Sequence, residues 1–123
     1  MRQYREVKDM IGATMASVVN NGNDELIFNA QDGRAWRMYH YQDCRESVSI
    51  DDIVGDLEDL VGVEMLEAYE ADSGDAGPQG EYRPDSYTWT FYRFRTIKGT
   101  VTVKWYGESN GYYSESVDFI QIT

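Results

Sequence analysis

The stretch SIDDIVGDLEDLVG, residues 49–62, governs how the rest of the chain is read. Ile50, Ile53, Val54, Leu57, Leu60 and Val61 recur at the spacing of one helix face, and a surface helix buries an apolar stripe of that width. Ser49 stands where an N-cap belongs, Asp52 supplies an acidic variant of the capping box, and Gly62 is a natural C-terminal stop. The spacing therefore predicts an amphipathic helix over 49–61. Its opposite face would carry Asp52, Asp56 and Asp59, with Asp51 and Glu58 beside them. Stability alone does not choose such a face, because acids at i, i+3 and i, i+4 repel and Asp59 opposes the helix dipole.

This stretch lies within an acidic third of the chain. The 123 residues hold 22 acids and 11 bases, a net charge of −11. Residues 46–82 contain 12 of the acids, Glu64, Glu67 and Glu70 among them, and no Lys or Arg, while the remainder carries 10 acids and 11 bases. A charge imbalance confined to one segment points to an electropositive partner or a cation. It argues against direct nucleic-acid binding, which needs a basic footprint.

Towards the N-terminus, Val7, Met10 and Ile11 have helical spacing before Gly12, predicting a brief helix, and residues 13–19 read as a strand. Asn20-Asn21-Gly22-Asn23 is a turn cluster, and residues 25–29 and 35–41 flank Asp32-Gly33 as a β-hairpin with Trp36, Met38 and His40 on one face and Arg37, Tyr39 and Tyr41 on the other. Towards the C-terminus, residues 63–71 read as a strand and 72–84, with three glycines and two prolines, as a mobile loop. Residues 87–97, 101–105 and 113–119 then read as a β-meander. Trp89, Phe91, Trp105 and Phe119 are assigned to its core, and Tyr112-Tyr113 to an exposed aromatic contact patch. The expected fold is α+β in a single domain spanning 1–123. It has a mainly antiparallel sheet, made of an N-terminal hairpin and a C-terminal meander, with one amphipathic helix packed on it.

Only 25 of the 123 residues are Leu, Ile, Val or Phe, but 17 Phe, Trp and Tyr residues offer enough area for a core. No 18 consecutive residues are apolar, so no membrane span is expected. The lone Cys44, the absence of Asn-x-Ser/Thr sites and the acidic residues before the apolar run at 10–19 suit a cytoplasmic protein.

Candidate chemistry is sparse. His40 and Cys44 would form a nucleophilic pair if their side chains met, but free cysteine is mostly inert packing. A zinc site would have to draw further ligands from carboxylates. The loop beginning at Asp72 fails the calcium template, with Gly74 at its third position, Ala76 at its fifth and Arg83 at its twelfth. No catalytic residue, metal or cofactor is assigned, and the chain is not read as an enzyme.

Two runs carry a resemblance. Met38-Tyr39-His40-Tyr41-Gln42-Asp43-Cys44 leading into residues 46–57, and Trp105-Tyr106-Gly107-Glu108-Ser109-Asn110-Gly111-Tyr112-Tyr113-Ser114, together resemble a family of small bacteriophage proteins of unknown function. Arg45 stands where such proteins often have a second cysteine, so no role needing a cysteine pair is carried over. The resemblance implies phage origin and no assigned activity, and it transfers no site residue. Joined to the charge pattern, it gives the expectation of a phage accessory protein in the host cytoplasm. Such a protein would bind and inhibit a basic-surfaced bacterial protein, such as a nucleic-acid-handling defence complex of the kind that anti-CRISPR proteins or DNA mimics block. Its contact residues would be Asp51, Asp52, Asp56, Glu58, Asp59, Glu64, Glu67, Glu70, Tyr112 and Tyr113. A small enzyme using His40 and Cys44, or a structural or assembly component of the particle, are the alternatives.

Overall fold

The computed structural model describes residues 3–40, 46–71, 86–109 and 117–123. Its strands are β1 (Gln3–Tyr4), β2 (Met15–Asn21), β3 (Glu25–Ala30), β4 (Ala35–Tyr39), β5 (Glu46–Val54), β6 (Glu67–Ala71), β7 (Ser86–Thr96), β8 (Gly99–Ser109) and β9 (Asp118–Gln121). They form two antiparallel sheets, ordered β1-β9-β4-β3-β2 and β5-β8-β7-β6. The sheets face each other across one core. Phe28 of β3 meets Phe94 of β7 with ring centroids 5.4 Å apart, and the Trp105 indole N–H of β8 donates to the Met38 sulfur of β4 at 3.2 Å. That hydrogen bond to a weak thioether acceptor satisfies a donor that burial would otherwise strand.

The expected helix over 49–61 is absent, and the fold is not a sheet with a helix laid on it. The described residues contain only two short 3₁₀ turns, Val7–Met10 and Leu57–Leu60. The helical spacing of 50–61 has two other causes. In β5, Ile50 pairs with Trp105 and Asp52 with Lys104, so Asp51 is an extra residue in a β-bulge. The bulge resets the alternation. Val48, Ile50 and Ile53 all turn to the core, and a three-residue step appears inside a strand. The second step, from Leu57 to Leu60, belongs to the 3₁₀ turn, whose period is three. β-Branched Val48, Ile50, Ile53 and Val54 also favour the extended chain.

Gly55 separates the two pieces. Its φ is +108°, and a Cβ there would lie 2.7 Å from the Thr100 carbonyl oxygen. Asp56, rather than Ser49, is the capping residue, its carboxylate accepting from the Glu58 N–H at 3.0 Å. Residues 61–65 are then laced to the N-terminal segment: Gly62 N–H donates to the Met15 carbonyl at 2.8 Å and Met65 N–H to the Ala13 carbonyl at 2.9 Å.

Elsewhere the elements fall near their expected places. The N-terminal brief helix is the 3₁₀ turn Val7–Met10, and the hairpin around Asp32-Gly33 is β3–β4. Gly22 and Asn23 both have positive φ, at 63° and 64°, which suits the twist of a hairpin turn between β2 and β3. Tyr39, on the side away from Trp36 and Met38, is nonetheless buried. The expected meander breaks after β8: β9 leaves the four-stranded sheet and inserts between β1 and β4 of the other. Adjacent Phe119 and Ile120 are both buried, and that position accommodates both. Phe119 meets Phe28 inside, with centroids 6.4 Å apart, and Ile120 lies between Tyr4 and Arg37 in the register. Trp105 and Phe119 are buried as expected, but Trp89 and Phe91 are half-buried on the outer face of their sheet, packed with Tyr106. The loop expected over 72–84 lies outside the described residues.

Two pairs of substitutions test this geometry. Gly55→Ala should lose at least about 2 kcal/mol in urea unfolding, because it combines positive-φ strain with a backbone clash. Gly12→Ala, also at positive φ but with nothing within 4 Å of its Cβ, should lose clearly less. Equal losses would mean that the Gly55 backbone does not sit against Thr100. Leu60→Ala, at a site with 0% exposure, should cost about 2–5 kcal/mol, and the half-buried Leu57 should cost less on the same replacement.

Candidate functional site

The acids of the central third do not share one face. β5 and β6 are opposite edges of the four-stranded sheet, three strand spacings or about 14 Å apart. Asp51 and Asp52 lie on β5, and Asp56, Glu58 and Asp59 follow on the turn. Glu67 and Glu70 lie on β6, while Glu64 bridges to Thr14. Between the edges run bases of β7 and β8. Lys104 stands opposite Asp52 in the register, and Arg95 forms a 3.1 Å ion pair with Glu67. That pair holds the Glu67 carboxyl below its ordinary value, mainly through its hydrogen bond. Asp51, Asp52, Asp56 and Glu58 are exposed and have no ion pair among the described residues. Tyr112 and Tyr113 lie outside the described residues.

His40 directly follows β4 and is 7% exposed. It lines a cleft between the two sheets with Arg37, Tyr39, Ser47 and Ser49. The Arg37 guanidinium pairs with Glu25 and sits 3.9 Å from the centroid of the Tyr39 ring. Glu25 is held below the ordinary carboxylate range by a hydrogen bond from Asn21 and then by Arg37. Cys44, the expected partner of His40, lies outside the described residues. Among the described residues, no group of three His, Cys, Asp or Glu side chains is placed to hold a metal ion.

A second cleft, of about 500 Å³, opens where β6 and β7 of one sheet approach β9 and the segment after β1. Tyr92 of β7 lines it and is 7% exposed. Burial first, and then the charges of Glu70 and Asp118, push the Tyr92 phenol well above its ordinary value of 10.0. Lys8 at the rim is paired with Glu6 at 3.0 Å, which raises the Lys8 value.

A family described as a domain of unknown function, DUF7448, matches residues 8–119. The chain belongs to this family. No curated protein matches the chain, and no solved structure does. The DUF7448 match takes in every acid of the expected contact set, together with His40 and Tyr92. No helix among the described residues is long and apolar enough to cross a membrane.

Sequence reasoning missed Tyr92 and Asp118. The available signal was parity along β7: Thr90, Tyr92, Phe94 and Thr96 alternate with Trp89, Phe91, Arg93 and Arg95, and the first set is the buried one. A phenol in a core-facing row needs somewhere to put its hydroxyl, and that need marks the cleft.

The raised phenol gives a pH signature. The unfolded chain ionises this tyrosine from about pH 10 upward while the folded chain keeps it protonated, so its contribution is full below that pH and falls above it. Tyr92→Phe should therefore decline less steeply than wild type in urea midpoint between about pH 9 and about pH 11. Parallel declines would show that the phenol is not shielded.

Proposed function

We propose that the chain is a binding module that holds a basic surface of a partner protein through the outer edge of β5 and the turn that follows. The supporting observation is the run Asp51, Asp52, Asp56 and Glu58, exposed and without ion pairs among the described residues, on an edge strand and the turn that follows it. Exposed carboxylates that follow one another along an edge and its turn, with Lys104 the one base opposite them in the register, favour a cationic surface and hasten encounter with it. The resemblance to phage proteins makes a bacterial host protein the partner class, and a nucleic-acid-handling defence complex fits because its channel is basic. The acids of β6 lie on the opposite edge of the sheet, and Glu67 is paired with Arg95, so the proposed footprint is the β5 edge rather than the whole acidic third.

The same bulge and charges also discourage an edge strand from pairing with another chain, so binding and self-association are tested together. Asp51→Lys with Glu58→Lys is the suitable double reversal, since Asp52 faces Lys104 and Asp56 caps the 3₁₀ turn. Wild type used as bait in bacterial lysate should retain a basic protein that salt releases, because charges more than about 10 Å apart are screened at about 0.1 M. The double variant should fail to retain it while keeping its unfolding free energy within about 1 kcal/mol of wild type. Unchanged capture, or a variant that merely self-associates, would make the acids an edge guard and not a contact surface.

A further inference from the structure

The cleft beneath Tyr92 has features that packing alone does not require. Tyr92 is nine-tenths buried, yet its hydroxyl makes no hydrogen bond among the described residues. That hydroxyl is not among the fully buried atoms, so it opens to the cleft, where water or a ligand can meet it. Tyr92 lines the cleft, as do the two carboxylates whose charges reach its phenol: Glu70, its register partner on β6, and Asp118 at the start of β9. The two acids come from different sheets and converge on one phenol. Glu70 has no ion pair among the described residues, whereas of the two bases that line the cleft Lys8 is held by Glu6 and Arg5 is engaged elsewhere. At the mouth, Tyr69 leaves 44% of its surface exposed.

We propose that this cleft binds an organic cation, a guanidinium or primary ammonium group, against the Tyr92 hydroxyl and the Glu70 carboxylate, with Asp118 contributing charge from the opposite sheet. The field of the two acids and the burial keep the phenol neutral. A neutral phenol accepts a hydrogen bond from N–H, and a carboxylate strengthens the hold on a cationic donor. An anion would meet two carboxylates at the floor, and a neutral ligand would gain nothing from them. The volume of about 500 Å³ is enough for a small ligand or for one arginine side chain of a larger one. This site is at the β6 side of the molecule and does not rest on the reading of the β5 edge.

The test is an NMR titration of the full chain with agmatine, following the Tyr92 ring and the amides of Glu70 and Asp118. A blocked tripeptide with a central arginine forms a second arm, and urea and sulfate serve as neutral and anionic controls. Agmatine at millimolar concentration should shift these resonances. Glu70→Gln and Tyr92→Phe should each weaken the binding about tenfold, while unfolding curves confirm that both variants fold. If the blocked peptide binds as well as agmatine, the ligand is an arginine side chain of a protein; if only agmatine binds, it is a free small molecule. Equal shifts with sulfate or urea, no shift with agmatine, or affinity unchanged by Glu70→Gln would overturn the proposal.

Discussion

Strand β5 keeps an apolar side chain on the core past Ile50 only because its backbone carries one extra residue at Asp51. A strand alternates faces at a period of two, so without the bulge the positions after Ile50 that face inward would be Asp52 and Val54. An unpaired carboxylate would then lie against Val103, at a desolvation cost that no neighbouring base offsets. With the bulge, Ile53 takes the inner position and both aspartates stay in water. The later geometry follows from that step. Gly55 turns the chain against Thr100, and Leu60 enters the core with no exposed surface. The Thr96 hydroxyl then donates to the Asp59 carbonyl and fixes the 3₁₀ turn to the β7–β8 hairpin.

The same residues explain why the sequence misled at this point and not at others. Hairpins with Asn-Gly or Asp-Gly turns are legible because the backbone demands those residues locally, and both N-terminal turns lie where their sequence places them. A bulge followed by a 3₁₀ turn leaves no such mark. It produces apolar steps of three and four, which a helix also produces, and only the β-branched residues at 48, 50, 53 and 54 spoke for a strand. The crossing of β9 to the other sheet was illegible for a different reason: alternation shows which residues face inward, but not which sheet they complete. Phe119 found its place by meeting Phe28, a contact across the chain that no local pattern encodes. Of the candidate site, the acids were visible by composition, but their division between two sheet edges depends on strand order, which composition does not contain.

That division gives the molecule two distinct electrostatic surfaces. The β5 edge carries exposed carboxylates in water, where charge is screened within about 10 Å at about 0.1 M salt. At the β6 side the acids meet a buried aromatic floor, where charge acts at shorter range and in a less polar medium. Between them, the outer face of β7 and β8 carries Trp89, Phe91 and Tyr106, with the Lys104 ammonium 5.8 Å from the centroid of the Phe91 ring. The net charge of −11 is therefore a sum over surfaces of different character.

The most direct measurement is the pattern of backbone nuclear Overhauser contacts over residues 46–61. Ile50 should contact Trp105 and Asp52 should contact Lys104 across the strands, with Asp51 left without an opposing residue. An unbroken series of Hα–HN contacts at i, i+3 from Ser49 to Val61, without those cross-strand contacts, would restore the amphipathic helix and contradict the bulged strand on which the fold depends.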